Sequence, residues 1–152
     1  MLRSFLMGLV AGQRSMAPLS ALAGAARRGT LPHDTPGARL MASPLFATGG
    51  VVMAAAEMAG DKMKSAPDRT VVLGLLARTI TAGFAGATLA PARRPIAGAA
   101  LGIGAALASS YAGLAARKWA MRRWGQTPTG FVEDALVQAA ATGIANARLA
   151  RA

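Results

Sequence analysis

"GLVAGQRSMAPLSALAG", residues 8–24, is the stretch on which the reading of this chain turns. Both of its flanks have the small and apolar residues of a lipid-buried helix, yet Gln13, Arg14 and Ser15 sit at its middle and Pro18 follows one turn later. On an insertion scale an arginine at the centre of a spanning helix costs roughly 2.5–3.5 kcal/mol, and each Leu, Val or Phe returns roughly 0.3–0.6. Across residues 5–26 the helpers are Phe5, Leu6, Leu9, Val10, Leu19 and Leu22. Together they return on the order of 2–4 kcal/mol, which only cancels the arginine. Pro18 also deprives the carbonyl of Arg14 of its helical donor. Such a segment is stable where Arg14 faces protein or a cavity, with an acceptor for its guanidinium, and not where it faces lipid.

The rest of the composition agrees with a membrane setting. Of 152 residues, 53% are hydrophobic and 15% charged, and mean hydropathy is +0.38. A soluble domain carries about 25% charged residues. There is no cysteine, so disulfides, thiolate metal sites and cysteine nucleophiles are excluded, and the lone His33 excludes a multi-histidine metal site. Net charge is +11, from 17 Lys and Arg against 6 Asp and Glu. The basic residues fall between hydrophobic runs, as Arg27 with Arg28, Lys62 with Lys64, Arg93 with Arg94, Arg117 with Lys118, and Arg122 with Arg123. They do not collect on one aromatic-studded face, which argues against nucleic acid. They fit the flanks of spanning helices against anionic headgroups.

Four stretches have the roughly 20 apolar residues that a bilayer core requires: 5–26, 40–60, 70–90 and 96–116. A fifth, 131–150, is more polar, and its Val132, Ala135, Leu136, Ala139, Ala140, Gly143 and Ala147 share one helical face. It either spans while packed against protein or lies on the membrane surface. The segment 117–130, with Trp119 and Trp124 among four cations, reads as a loop at headgroup level. The N-terminal segment could serve as a signal peptide, but the equally hydrophobic segments that follow favour a retained helix. These readings give an all-α fold: a polytopic transmembrane bundle of four to five helices forming one membrane-embedded domain, residues 1–152.

Helix packing is expected at Gly8 with Gly12 and at Gly98 with Gly102, where small residues let backbones approach, and at the Pro18 bend. "GLLARTITAGFAGATLA", from Gly74, resembles the opening stretch and also places one arginine, Arg78, near mid-span, which implies a two-helix internal repeat. Partners for Arg14 and Arg78 must come from six carboxylates, and Glu57 is the favoured one. Glu57 and Asp61 share a helix face, whereas Glu133 and Asp134 read as a helix-start preference. The expected substrate-binding or pathway residues are therefore Gln13, Arg14, Ser15, Glu57, Asp61 and Arg78. No catalytic residue, metal ligand or cofactor is expected.

The stretches "AGQRSMAPLSALAG", "SPLFATGGVVMAAAEMAGDKMKSAPDR" and "ARTITAGFAGA" resemble the bacterial membrane family catalogued as domain of unknown function 4126, over about residues 8–90. The matching positions are Pro18 with Leu19, Glu57, Asp61 with Lys62, and Arg69 or Arg78 with Gly83 or Gly86. The resemblance implies a polytopic membrane protein and brings no activity. The expected setting is the cell inner membrane, multi-pass, with membrane lipids and further copies of the chain, as a homodimer or higher oligomer, as partners and no nucleic acid. If residues 5–26 and the three later segments each cross once, the N-terminus and residues 117–130 share a side. Nearly equal flanking charge then leaves two outcomes: dual insertion with an antiparallel homodimer, or a cytoplasmic 117–130 segment, which its dense cations favour. Three functions stay open. The first is a small transporter or channel-like protein that handles a small or anionic solute through a polar centre. The second is a lipid-handling protein or enzyme using Glu57 and Asp61, and the third is a structural membrane protein.

Overall fold

The computed structural model describes residues 1–31, 35–60 and 72–147. The regular structure of these residues is helical throughout: α1 (Leu2–Gln13), α2 (Ala17–Arg27), α3 (Pro36–Ala42), α4 (Pro44–Gly60), α5 (Val72–Leu89), α6 (Pro95–Trp124) and α7 (Gln126–Asn146).

The opening stretch is not one spanning helix. α1 stops at Gln13, Arg14 is extended with φ −140° and ψ 115°, and α2 restarts at Ala17 with Pro18 in its first turn. Proline is tolerated there because first-turn N–H groups have no helical acceptor. The chain then runs back on itself, as contacts with α7 show. Arg3 donates to the carbonyls of Ile144 (3.0 Å) and Ala145 (2.6 Å), and Arg14 pairs with Asp134, so α1 and α7 are antiparallel. On α2, Ser20 meets Gln138 (3.1 Å), and Arg28 just past its end meets Asn146 (3.1 Å), so α2 follows the direction of α7. Helices rise 1.5 Å per residue, so each arm of this hairpin is only about 16–18 Å long against a hydrocarbon thickness of about 30 Å. The expected span 5–26 is therefore corrected to a helical hairpin with Arg14, Ser15 and Met16 at its tip.

The other directions follow from the close approaches. Gly8 lies against Gly102, and Gln13 against Gly113, so α6 is parallel to α1. Gly86 lies against Gly98 and Ala82 against Gly102, which makes α5 antiparallel to α6. Glu57 meets Ser15 while Gly50 lies beside Leu19, which makes α4 antiparallel to α2. α1, α4 and α6 thus point one way, and α2, α5 and α7 the other. The N-terminus and the 117–130 segment are at opposite ends of the bundle, contrary to the side-sharing expected from simple spans.

Four further readings change. The stretch 40–60 is divided at Ser43, where Pro44 begins α4 after the short α3. The expected loop across 117–124 is helix, because α6 continues through both tryptophans, whose rings meet edge-on with centroids 5.3 Å apart. Only Gly125 separates α6 from α7, and its φ of 85° is a conformation that glycine adopts without steric cost. α7 presents the opposite face to the one its apolar periodicity predicts: Asp134, Val137, Ala141 and Ala145 are buried, while Val132 and Leu136 are exposed. The two similar arginine-bearing stretches also differ in form, since α5 runs unbroken through Arg78.

The buried interior joins apolar residues such as Met7, Leu22 and Leu89 with charged and polar ones. Arg14 is 1% exposed, and Arg3, Ser4, Arg78, Ser109, Ser110 and Asp134 are buried with it, whereas Ile96 and Val72 are each 83% exposed. Among the described residues two helices, Val72–Leu89 and Pro95–Trp124, are long and apolar enough to cross a membrane, and Pro44–Glu57 is apolar but shorter. Small residues set the helix spacing. A Cβ on Gly8 would overlap the carbonyl oxygen of Gly102, one on Gly12 would overlap Ser109 and Ala106, and one on Gly98 would overlap Gly86 and Ala90. Gly102 serves both neighbours, with α1 on one side and α5 on the other.

Candidate functional site: the hairpin tip

A helix start leaves four N–H groups without helical acceptors. At α2 the N-cap residue is Met16, whose side chain cannot cap. The acceptor comes from α4. One Glu57 oxygen accepts from the Ser15 N–H (2.8 Å) and the Ser15 hydroxyl (2.6 Å), and the other accepts from the Met16 N–H (2.8 Å). The carboxylate thus sits at the positive end of the α2 dipole, where negative charge is stabilised. Glu57 is half-buried, and Ser15 is buried beneath it.

Arg14 turns away from this seat toward α7 and closes on Asp134. The expectation that Glu57 is the acceptor for Arg14 is thus corrected. Glu57 holds the backbone of the tip, and Asp134 holds the guanidinium. Glu133, beside Asp134, pairs with Arg117 at 3.3 Å. Neither carboxylate marks a helix start, because α7 begins at Gln126.

The remaining tip residue, Gln13, donates from its amide to the Ser109 carbonyl (2.8 Å). The Ser109 hydroxyl donates to the Leu9 carbonyl (2.9 Å), and that of Ser110 to the Gly12 carbonyl (3.2 Å). The last turn of α1 is thereby tied to α6. The tip therefore gathers Gln13, Arg14, Ser15 and Glu57 from the expected set and adds Asp134, Ser109 and Ser110. Arg78 is buried on α5, and Asp61 lies outside the described residues. Pro18 is buried in the first turn of α2. Among the described residues no three His, Asp or Glu side chains gather as a metal ion would need.

Asp134 had a legible signal: it begins a polar series with Gln138, one turn on, and Asn146 on the same helix. In a lipid setting polar positions mark the protein-facing side, so this series, and not the apolar one, points inward. The chain matches no family model, no curated protein and no solved structure.

Proposed function

We propose that this chain is a polytopic inner-membrane protein that moves a small or anionic solute through the polar centre at its hairpin tip. In this reading α4 to α7 cross the bilayer and the α1/α2 hairpin is re-entrant. The exposed apolar side chains of α4 to α7 support the membrane setting, because large exposed apolar faces are what lipid contact stabilises. The resemblance to domain of unknown function 4126 belongs to the same proposal.

The observation that carries the transport reading is the Glu57 carboxylate seated on Ser15 and Met16. Backbone that leaves the helical form at membrane depth occurs where it is buried in protein or lines a cavity. In transporters, half-helix N-termini of this kind receive anionic substrate groups. Here an internal anion occupies that seat. An arriving anion that replaces Glu57 takes up the N–H groups of Ser15 and Met16. Arg14, already balanced by Asp134, adds positive potential beside the seat without trapping the solute.

Reconstituted proteoliposomes loaded with a panel of small carboxylates and phosphates provide the test. Wild-type protein is expected to release at least one of them faster than empty liposomes, with Glu57→Gln changing the rate or its pH dependence and the exposed Arg39→Gln leaving it unchanged. Absence of flux for every solute, or wild-type flux in Glu57→Gln, removes the reading. A structural role, favoured by the closure of Arg14 on Asp134, predicts the first of those results. The enzyme reading has less support, since Glu57 is committed to the tip.

A further inference from the structure

α6 and α7 are joined by one residue, yet they do not close on each other. Between them lies a cleft of about 920 Å³, open along one side. That volume is within the roughly 300–1,000 Å³ of small-molecule sites. One wall is a stripe of small residues on α6, Ala112, Ala116 and Ala120, spaced one turn apart. The facing wall is Pro128, Val132 and Leu136 on α7, with the same spacing. At the floor lies Gln13, packed so tightly on Gly113 that a Cβ there would overlap its amide.

The walls are apolar, and the end of α6 beside them is basic. Arg117 and Trp124 line the cleft, and Lys118, Arg122 and Arg123 are exposed on the same end of α6. The nearest carboxylate, Glu133, is engaged by Arg117, and α7 starts at this end with no acidic residue in its first turn. α6 is 30 residues long, about 45 Å, which exceeds a hydrocarbon core of about 30 Å. Its last turns, with both tryptophans, therefore reach headgroup depth in the membrane reading.

We infer that this cleft is a binding site for an anionic phospholipid, with an acyl chain between the alanine stripe and the α7 wall and the phosphate against the basic end of α6. A slot of apolar side chains ending in clustered cations at headgroup level complements an acyl chain ending in an anion. A second copy of the chain fits less well, because it would bring a further cluster of cations to a helix end that already holds four. The site rests on the membrane-embedded reading above and is independent of transport.

The test uses the whole chain in phosphatidylcholine nanodiscs doped with phosphatidylglycerol that carries a photoreactive group on one acyl chain. Labelling is expected to concentrate on residues 112–137. Ala116→Phe, which fills the slot, should lower that labelling severalfold, and Arg122→Gln with Arg123→Gln should lower it roughly 25-fold, since each cation near an anionic surface contributes about a factor of five. The same photoreactive group on phosphatidylcholine should label the cleft weakly and respond little to the arginine changes. Gel filtration and helical circular dichroism confirm that each variant is folded. Labelling spread evenly over the exposed faces of α4 to α7, labelling indifferent to Ala116→Phe, or a cross-link between two copies through the cleft would overturn the site. A chain that does not enter the nanodisc at all would instead overturn the membrane reading beneath it.

Discussion

Asp134→Ala takes from the buried Arg14 guanidinium the carboxylate it closes on. Removing one partner of a buried ion pair typically costs about 3–5 kcal/mol, whereas replacing both with apolar residues is often close to neutral. Asp134→Ala should therefore melt well below wild type in detergent, and Arg14→Leu combined with Asp134→Leu should recover much of the loss. Equal melting of the single and double variants would show that the pair is not the element holding the tip to α7. Glu57 differs in kind, because its three donors include two backbone N–H groups that no substitution removes. Glu57→Gln keeps one acceptor oxygen and turns an amide NH₂ toward a donor, so it should cost about 1–3 kcal/mol. Ser15→Ala, which removes only the hydroxyl, should cost about 0.5–1.5 kcal/mol. Thermal unfolding of the two variants side by side checks the order. The sequence pointed to Arg14, Ser15 and Glu57 as one polar centre, because ionisable groups in apolar segments must meet something polar. It did not assign the partners. Four or more acceptors satisfy the same energetic demand, and only the path of the chain decides which one arrives.

At the scale of the helices, the glycines divide into two sets. Gly8, Gly12, Gly98 and Gly102 lie where a Cβ would meet another backbone or side chain, whereas Gly104 and Gly143 face open space. Gly8→Ala and Gly12→Ala should each destabilise by about 1–3 kcal/mol through overpacking. Gly104→Ala and Gly143→Ala should be neutral or stabilising by up to about 1 kcal/mol, because alanine loses less backbone entropy in a helix. Chemical unfolding in detergent that ranks all four alike would contradict the packing described. Small-residue spacing was legible because it serves helix contact directly. The reversal at Arg14 was not. A proline and a polar triplet end a helix equally well whether the chain then continues or turns back, and the choice is made by Glu57 and Asp134 on distant helices. The face of α7 was misread for a different reason, which the membrane reading supplies: apolar periodicity identifies the inward side only when the surroundings are water.

For the whole molecule, the hairpin changes which residues share a side. Leu2, Ala92 and Arg28 lie toward one end of the bundle and Thr127 toward the other. The chain has no cysteine, so single introduced cysteines report cleanly. In sealed vesicles an impermeant maleimide should reach Leu2→Cys and Ala92→Cys from one face and Thr127→Cys only from the opposite one. Labelling of Leu2→Cys and Thr127→Cys from the same face would restore the simple crossing of residues 5–26. One consequence concerns the order in which the chain is made. α1 packs on α5 and α6, but the carbonyls that receive Arg3, those of Ile144 and Ala145, and the carboxylate on which Arg14 closes, that of Asp134, all lie on α7. A ribosome delivers α1 first and α7 last. α1 can therefore dock on α5 and α6 before its two arginines meet α7, so a translation product halted before residue 126 has most of the surface that α1 packs on but lacks Asp134 and the carbonyls of Ile144 and Ala145.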